Sequence, residues 1–349
     1  MRVRIRPLAF AACAVLLTSF MMVAALMAAD LYLHKRTERS AGLNVWGYRG
    51  PVAPKKRPGD IRVAVLGGST VFGYGVTRDQ AFPALLEQRL NGRVAGGRRF
   101  SVVNLGYNNE GAYSFRYTLE DYAYLDIDIV CLYEGYNDLM GDPNGANHSV
   151  YRRNSPIFRL TGYFPVFPLV FREKAMALLH GGNVNAAYAP DGKTVFHPTA
   201  ANRATAAALE TAATIGDSLE RQLERVAKPA PGAGPRPQSG SCAYPWTDYC
   251  DSVAGAVDYA LSHGQRVLVV TQPYPLWPKV EERHRSQQQA LADMLHERFA
   301  DRPAFRYVNL GDAVDLRDGT LSYDGMHLTP AGNARIADRL AGPVAEAAR

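Results

Sequence analysis

Residues 61–70 have the sequence IRVAVLGGST, a mainly apolar run of six residues followed at once by Gly67, Gly68 and Ser69. A continuous apolar run rich in β-branched residues is typical of a strand buried on both faces of a parallel sheet. Glycines at the end of such a strand permit a tight turn into a helix. The segment therefore predicts a strand that places Ser69 at one edge of an α/β sheet.

Beyond residue 61, short apolar runs alternate with longer amphipathic ones, as expected for strands that alternate with helices. The predicted strands are 61–66, 100–105, 127–133, 266–271 and 305–310. The predicted helices are 80–90, 113–124, 249–262, 280–299 and 330–348. This alternation predicts a parallel sheet with helices on both faces.

A stretch of about 141–241 lacks the alternation, and we interpret it as an insertion in the domain. Its aromatic segment, 158–171, is expected to pack against the main domain; a lid over an acyl chain and contact with a membrane surface are the alternatives. A helix is predicted at 201–228. Residues 229–237 (PAPGAGPRP) have the composition of a flexible or polyproline-like linker.

The positive charge of the chain is concentrated near its N-terminus. Of the 349 residues, the first 62 contain 11 Lys/Arg against 3 Asp/Glu, and the remainder contains 28 against 30. A nucleic-acid interface needs a positive face on the folded domain, so no nucleic-acid partner is expected. The composition, 47% hydrophobic and 21% charged, excludes a disordered, collagenous or disulfide-dense chain.

Residues 8–29 carry no charge, and a helix of this length covers about 33 Å, enough to span a bilayer. The run is longer than the apolar region of a secretory signal and lacks its small-x-small end, which favours an uncleaved anchor over a cleaved signal. Lipidation at Cys13 is the least favoured alternative. We expect an anchor at 1–30, a tether at 31–60 and a domain at 61–349 that lies outside the cytoplasm, although Lys/Arg at 35, 36 and 39 weaken the charge contrast.

Cysteine and histidine usage bears on the compartment and on metals. Cys242 and Cys250 flank a seven-residue loop that a disulfide could close outside the cytoplasm; whether they pair remains open. Cys131 lies in a predicted strand and is expected to be a buried free thiol. No His or Cys pair has metal-ligand spacing, so neither a metal nor a cofactor is expected.

Candidate site residues follow four of the predicted strands, at the edge where open parallel sheets bind ligands. They are Ser69 after the first strand, Gly106 after the second, Asn137 after the third, and Asp324 with His327 after the last. The residues Gln272-Pro273-Tyr274-Pro275 follow the fourth strand, where they could line the cleft or form a structural turn.

Together these residue types suit acyl transfer from an ester. A serine hydroxyl needs an imidazole to accept its proton, and Asp324 can orient His327 for this purpose. The negative oxygen of the tetrahedral intermediate needs donors, and the Ser69 N–H, the Gly106 N–H and the Asn137 side-chain amide could supply them.

The four blocks resemble those of the SGNH (GDSL-like) hydrolase family, over most of residues 61–140 and 265–349. The third block, Gly-x-Asn-Asp, is intact at 135–138, and the last, Asp-x-x-His, is intact at 324–327; the first has Gly68 where the family usually has Asp. The resemblance implies a flavodoxin-like three-layer α/β/α sandwich. It also implies that Ser69 is the nucleophile, that Gly106 and Asn137 complete the oxyanion hole, and that Asp324 and His327 complete the triad.

From the residues and the resemblance we expect a membrane-anchored serine esterase acting on a carboxylic O-acyl ester of a small molecule, glycan or lipid of the cell envelope. An O-acyltransferase would use the same triad if water were excluded. A non-catalytic envelope binding or assembly module is the alternative from a different class. The oligomeric state is not predicted.

Overall fold

The computed structural model describes residues 5–40, 42–93, 99–133, 135–139, 150–179 and 242–349. The predicted helix at 201–228 and the linker at 229–237 lie outside these residues. The described chain divides into two compact units. The helical unit comprises 5–37 and 155–179, and the sheet unit comprises the described residues of 38–154 together with 242–349.

The sheet unit contains five parallel strands in the order β2-β1-β3-β4-β5. They are Ile61–Leu66 (β1), Phe100–Asn104 (β2), Ile129–Tyr133 (β3), Arg266–Val270 (β4) and Phe305–Val308 (β5). Every residue of the central strands β1 and β3 is buried, as their continuous apolar sequences require. This is the flavodoxin-like strand order, and the predicted α/β fold is confirmed.

Both units contain α-helices. They are Ile5–Thr37 (α1), Ser69–Phe72 (α2), Phe82–Arg93 (α3), Phe115–Asp121 (α4), Pro156–Thr161 (α5), Phe167–Leu179 (α6), Thr247–Ser262 (α7), Pro278–Phe299 (α8) and Pro330–Ala347 (α9). In the sheet unit α3 packs against α9, whereas α4 and α8 each pack against α7. Right-handed crossovers in this strand order place these two groups on opposite faces of the sheet, which makes three layers.

The segment between α1 and β1 differs from the predicted tether. α1 continues to Thr37, and Leu43 and Asn104 each form a backbone bridge with Arg49. Arg49 is only 3% exposed, and its guanidinium donates to the carbonyl oxygens of Phe72, Gly73 and Val76 at the end of α2. The first part of this segment is therefore built into the sheet unit, and its irregular backbone explains why the sequence shows no period there.

In the helical unit, the aromatic segment is hydrogen-bonded to α1. Asp30 of α1 is buried and accepts hydrogen bonds from the N–H groups of Val166 and Phe167 and from the Tyr163 hydroxyl. His34 Nε2 lies 3.0 Å from the Phe164 carbonyl oxygen. The aromatic segment was expected on the main domain, but it shares a unit with α1 because a buried carboxylate of α1 caps the first turn of α6.

Within α1, residues Ala9–Thr37 are long and apolar enough to cross a membrane, with a mean hydropathy of 2.3. Large apolar side chains along this helix, such as Phe10 and Phe20, are exposed. A helix with this length and composition suits a lipid environment.

The structure contains a disulfide between Cys242 and Cys250, whose Cα atoms are 6.3 Å apart. It links the start of α7 to the residues that precede that helix. Cys131, on β3, is buried, and burial raises the pKa of its thiol to about 12. A thiol with such a pKa is almost entirely protonated at neutral pH and is a structural apolar group.

Replacing Arg49 with methionine is expected to lower the free energy of unfolding by about 3 kcal/mol, because several buried carbonyl oxygens lose their donor. Chemical denaturation followed by circular dichroism measures this change. Arg57→Met removes an exposed arginine from the same segment and should alter stability by less than about 0.5 kcal/mol. Equal effects of the two substitutions would contradict the structural role of Arg49.

Candidate active site

The candidate nucleophile, Ser69, is the first residue of α2 and follows β1 after two glycines. A Cβ at Gly67 would lie 2.1 Å from the Tyr133 carbonyl oxygen, so only glycine fits where the turn passes β3. α2 ends after one turn because Gly73 adopts a left-handed conformation, with φ of +83°. Ser69 is partly exposed while Thr70 beside it is buried, so the turn presents one hydroxyl to the solvent edge of the sheet.

The candidate acid and base, Asp324 and His327, lie in the loop before α9. Gly325 has a φ of +80°, which lets the loop reverse direction at a position where other residues would be strained. The Ser322 hydroxyl donates to the His327 carbonyl oxygen at 2.8 Å and so holds the two sides of the loop together. The Thr329 side chain then caps α9, which fixes where the loop ends.

The side chains of Ser69, His327 and Asp324 form a hydrogen-bonded row. Ser69 Oγ lies 2.9 Å from His327 Nε2, and His327 Nδ1 lies 2.6 Å from Asp324 Oδ2. The carboxylate accepts from Nδ1–H, which selects the imidazole tautomer whose Nε2 can accept the proton of Ser69. The structure thus brings together residues 258 positions apart in the arrangement that proton transfer requires.

Hydrogen bonds keep Asp324 ionised. Partial burial alone would raise the pKa of this carboxyl, but hydrogen bonds from the His327 side chain and from the His327 and Met326 N–H groups outweigh burial and lower it below its ordinary value. The two backbone donors lie 2.6 and 3.0 Å from Oδ1. The ionised carboxylate orients the imidazole and would stabilise its protonated form.

Two of the three predicted oxyanion donors have protein acceptors in this structure. The Gly106 N–H donates to Asn104 Oδ1 at 3.0 Å, and Asn137 Nδ2 donates to the Glu110 carbonyl oxygen at 2.8 Å. A substrate oxygen would have to share or displace these bonds, so the oxyanion roles of Ser69, Gly106 and Asn137 stay predictions. At Gly106 the structure also gives a packing reason for glycine, because a Cβ would lie 2.5 Å from a backbone nitrogen of α2.

A buried ion pair that the sequence analysis did not single out holds the loop after β2. Arg152, 1% exposed, donates to the carbonyl oxygens of Leu105 at 2.8 Å and Gly106 at 3.2 Å. Its guanidinium lies 3.6 Å from the Glu110 carboxylate, which also accepts from the Tyr151 N–H at 2.9 Å. No motif marks an arginine in this role, and only the tertiary contacts reveal it.

Asp138, next to Asn137, contacts the same loop. Its carboxylate accepts from the Ala112 N–H at 3.0 Å, and Gly111 permits this approach because a Cβ there would lie 2.6 Å from Asp138 Oδ1. Burial raises the pKa of Asp138 to about 7, and the hydrogen bond from Ala112 opposes the rise only in part. Asp138 thus attaches the third block to the residues after β2.

Partly exposed apolar side chains surround His327. The ring centroids of Tyr74 and Tyr323 lie 4.9 and 5.9 Å from that of the imidazole, and the Tyr323 hydroxyl donates to the Tyr74 carbonyl oxygen. Leu276 packs where a side chain on Gly325 would stand. These side chains give the site an apolar edge of the kind that ligand pockets use. Of residues 272–275, which could line the cleft or form a structural turn, Gln272 is buried.

The arrangement suits nucleophilic attack and proton transfer. Among the residues that the structure describes, no group of three His, Cys, Asp or Glu side chains could hold a metal ion. The two histidines in this region contact other side chains. His327 contacts Ser69 and Asp324, and His284 contacts glutamines.

No protein-family model and no curated protein matches the chain. Solved structures do match, among them an aryl esterase of M. smegmatis, 14% identical, with a TM-score of 0.41 over 81% of this chain and 98% of that one. A family 3 carbohydrate esterase of Clostridium thermocellum is 12% identical, with a TM-score of 0.41 over 82% and 98%. A lipolytic G-D-S-L family protein of Veillonella parvula DSM 2008 is 10% identical, with a TM-score of 0.40 over 80% and 95%. Similarity at this level carries no residue role to this chain.

The raised pKa of Asp138 predicts a pH-dependent contribution to stability. This contribution is fully present below the ordinary pKa of 3.8 and is lost as the pH rises through about 7, because only the folded chain retains the proton between these values. Asp138→Asn should therefore be more stable relative to wild type at pH 8 than at pH 5, as measured by the thermal unfolding midpoint.

A control for the loss of one negative charge is Asp301→Asn, at an exposed position. Its difference from wild type should be the same at both pH values. If the Asp138→Asn difference is also independent of pH, the assignment of a raised pKa to Asp138 is wrong.

Proposed function

We propose that the chain is a serine esterase that cleaves carboxylic O-acyl esters through an acyl-enzyme. The observation that carries the proposal is the 2.9 Å contact of Ser69 Oγ with His327 Nε2, continued by the 2.6 Å contact of His327 Nδ1 with Asp324. A hydroxyl aligned with an imidazole and a carboxylate is the arrangement that activates a serine.

In the first half-reaction, Ser69 Oγ attacks the ester carbonyl carbon while His327 Nε2 takes its proton. The carbonyl π electrons move to oxygen and form the tetrahedral intermediate. When this intermediate collapses, the bond to the leaving oxygen breaks, and His327 returns the proton to that oxygen. The products are a free alcohol and an acyl group on Ser69.

In the second half-reaction, water takes the place of the alcohol. His327 accepts a proton from the water as its oxygen attacks the acyl carbon, and the proton then passes to Ser69 Oγ as the acyl bond breaks. A carboxylic acid leaves. If a sugar hydroxyl rather than water attacked, the same steps would transfer the acyl group, which is the transferase alternative.

The oxyanion roles of the Ser69 N–H, the Gly106 N–H and the Asn137 amide are part of this proposal. Each donor would strengthen its bond as negative charge develops on the carbonyl oxygen, and one such donor is typically worth about 3–4 kcal/mol. Support comes from position: Gly106 packs against the backbone of α2, and Asn137 is exposed and close to Asp138 and Glu110.

We also propose that α1 anchors the chain in a membrane and that the sheet unit lies outside the cytoplasm, as the SGNH-like domain of residues 61–349. The length and hydropathy of α1 support the anchor, and the Cys242–Cys250 disulfide supports an oxidising compartment. At that location, an acylated glycan or lipid of the cell envelope is the natural substrate class.

Wild-type protein should hydrolyse p-nitrophenyl esters and react covalently with a fluorophosphonate probe at Ser69. Ser69→Ala should abolish labelling and lower kcat/KM about 10⁴-fold or more, because no other group supplies the nucleophile. Ser262→Ala, which removes an exposed hydroxyl on α7, is the matched control and should retain full activity. A series of acyl chain lengths in the same assay would identify the preferred acyl group.

Labelling of Ser69→Ala equal to that of wild type would refute the nucleophile assignment. Absence of both labelling and turnover in the wild type would favour a non-catalytic module. Acyl transfer to an added glycan at the expense of hydrolysis would favour the transferase.

Alkaline phosphatase is active only outside the cytoplasm. The proposed orientation predicts that this enzyme, fused after residue 40, will be active in cells. A reporter that works only in the cytoplasm, fused at the same position, should be inactive. The opposite pair of results would reverse the orientation.

A further inference from the structure

Gln272, directly after β4, is a buried side chain that contacts two parts of the proposed site. Its Oε1 accepts from the Tyr136 N–H at 2.7 Å, and its Nε2 donates to Thr70 Oγ1, also at 2.7 Å. The residue is 1% exposed. Because a backbone N–H can only donate, it fixes the orientation of the amide and therefore makes Nε2 the donor to Thr70.

The two partners of Gln272 are sequence neighbours of the proposed machinery. Thr70 follows Ser69 in α2, and Tyr136 precedes Asn137 in the 3-10 helix Tyr136–Asp138. One side chain thus connects the turn that carries the nucleophile to the loop that carries a proposed oxyanion donor.

The backbone of Gln272 is itself held by α8. Its carbonyl oxygen accepts from Gln288 Nε2 at 2.7 Å, and Gln288 Nε2 also lies 2.6 Å from His284 Nε2. Since the carbonyl can only accept, Gln288 presents its NH₂ group here. His284 Nε2 lies 3.3 Å from the same carbonyl oxygen, so α8 holds the Gln272 backbone with two side chains.

The other side of His284 supports the same loop. Gln287 Nε2 donates to the Gly135 carbonyl oxygen at 3.1 Å, which leaves Gln287 Oε1 to accept from His284 Nδ1 at 3.1 Å. Burial lowers the pKa of His284 to about 4, so the imidazole is neutral at neutral pH. A Cβ at Gly135 would lie 2.7 Å from His284 Cε1, so glycine is needed for this contact.

All the glutamines and the histidine of this network are at most 3% exposed. Buried side chains that hydrogen-bond to one another are held in fixed orientations, and the loss of one member leaves its partners unsatisfied. Such rigidity is what a site needs if its donors are to be in place before charge develops.

We infer that Gln272 is a positioning residue that sets the placement of the nucleophile turn relative to the loop bearing Asn137. The inference rests on the proposed esterase function. Gln272 acts through Thr70 and Tyr136, and its effect falls on the rate of the chemical step rather than on substrate binding.

The test compares Gln272→Met, which keeps the side-chain length and removes both hydrogen bonds, with Thr70→Val, which removes one. Gln272→Met should lower kcat about 10- to 100-fold while KM changes less than about threefold, and Thr70→Val should lower kcat about tenfold. Because both substitutions break the same bond, the double variant should be no slower than Gln272→Met within about threefold.

Two further variants separate positioning from folding. Thr70→Ser keeps the acceptor and should recover kcat to within about threefold of wild type. Gln289→Met, an exposed glutamine on α8, should leave kcat and KM unchanged. All rates are expressed per active site, and the active sites are counted by fluorophosphonate titration to completion. Thermal unfolding shows which variants fold. If Gln272→Met does not fold, the comparison of Thr70→Val with Thr70→Ser is the test.

An active wild type whose kcat per site is unchanged by Gln272→Met, or by Thr70→Val, would overturn this inference alone. Equal losses in Thr70→Ser and Thr70→Val would also overturn it. A wild type with neither labelling nor turnover would overturn the proposed function, and this inference with it.

Discussion

Close backbone packing at the carboxyl edge of the sheet is the constraint on which the site geometry depends. The turn after β1 passes within van der Waals distance of the end of β3, and the loop after β2 meets the backbone of α2 in the same way. Parallel pairing of β1 with β2 and β3 brings these ends level, so that the loops must share one narrow edge. Glycines at 67 and 106 permit this close packing around α2, the short helix that begins at Ser69.

Around this edge, the loop that carries Asn137 is held on both sides by buried polar groups of different kinds. On one side the Glu110 carbonyl oxygen accepts from Asn137 Nδ2 and the Asp138 carboxyl group accepts from the Ala112 N–H, next to the buried Arg152–Glu110 ion pair. On the other side neutral amides and a neutral His284 hold it without charge. Burying charge is costly unless every partner is present, whereas burying neutral amides carries a smaller penalty, even though Gln288 Oε1 has no hydrogen-bond partner here. The uncharged side includes Gln272, which contacts Thr70 in the nucleophile turn, so this contact adds rigidity without adding a charge.

The sequence predicted most of the sheet and the members of the hydrogen-bonded row, because both leave local signals. Buried parallel strands are continuous apolar runs, and Ser69, Asp324 and His327 follow such runs beside glycines. The oxyanion roles of Gly106 and Asn137 remain untested by the geometry. The sequence did not predict the roles of Arg49, Arg152 and His284, because their partners are far away in the chain. Nothing in their neighbouring residues distinguishes a buried polar group from a solvated one. The same reason underlies the misplacement of the aromatic segment, whose attachment to α1 depends on one acidic residue near the end of an apolar helix.

Asp30 makes α1 part of the fold of the helical unit. Peptidase cleavage at the end of α1 would leave the N–H groups of Val166 and Phe167 and the phenol of Tyr163 without the carboxylate that now receives them. Uncompensated donors of this kind favour unravelling of the turns that bear them. In this structure α1 therefore belongs to one small folded core with residues downstream of Ser155, and removal of α1 would take part of that core away.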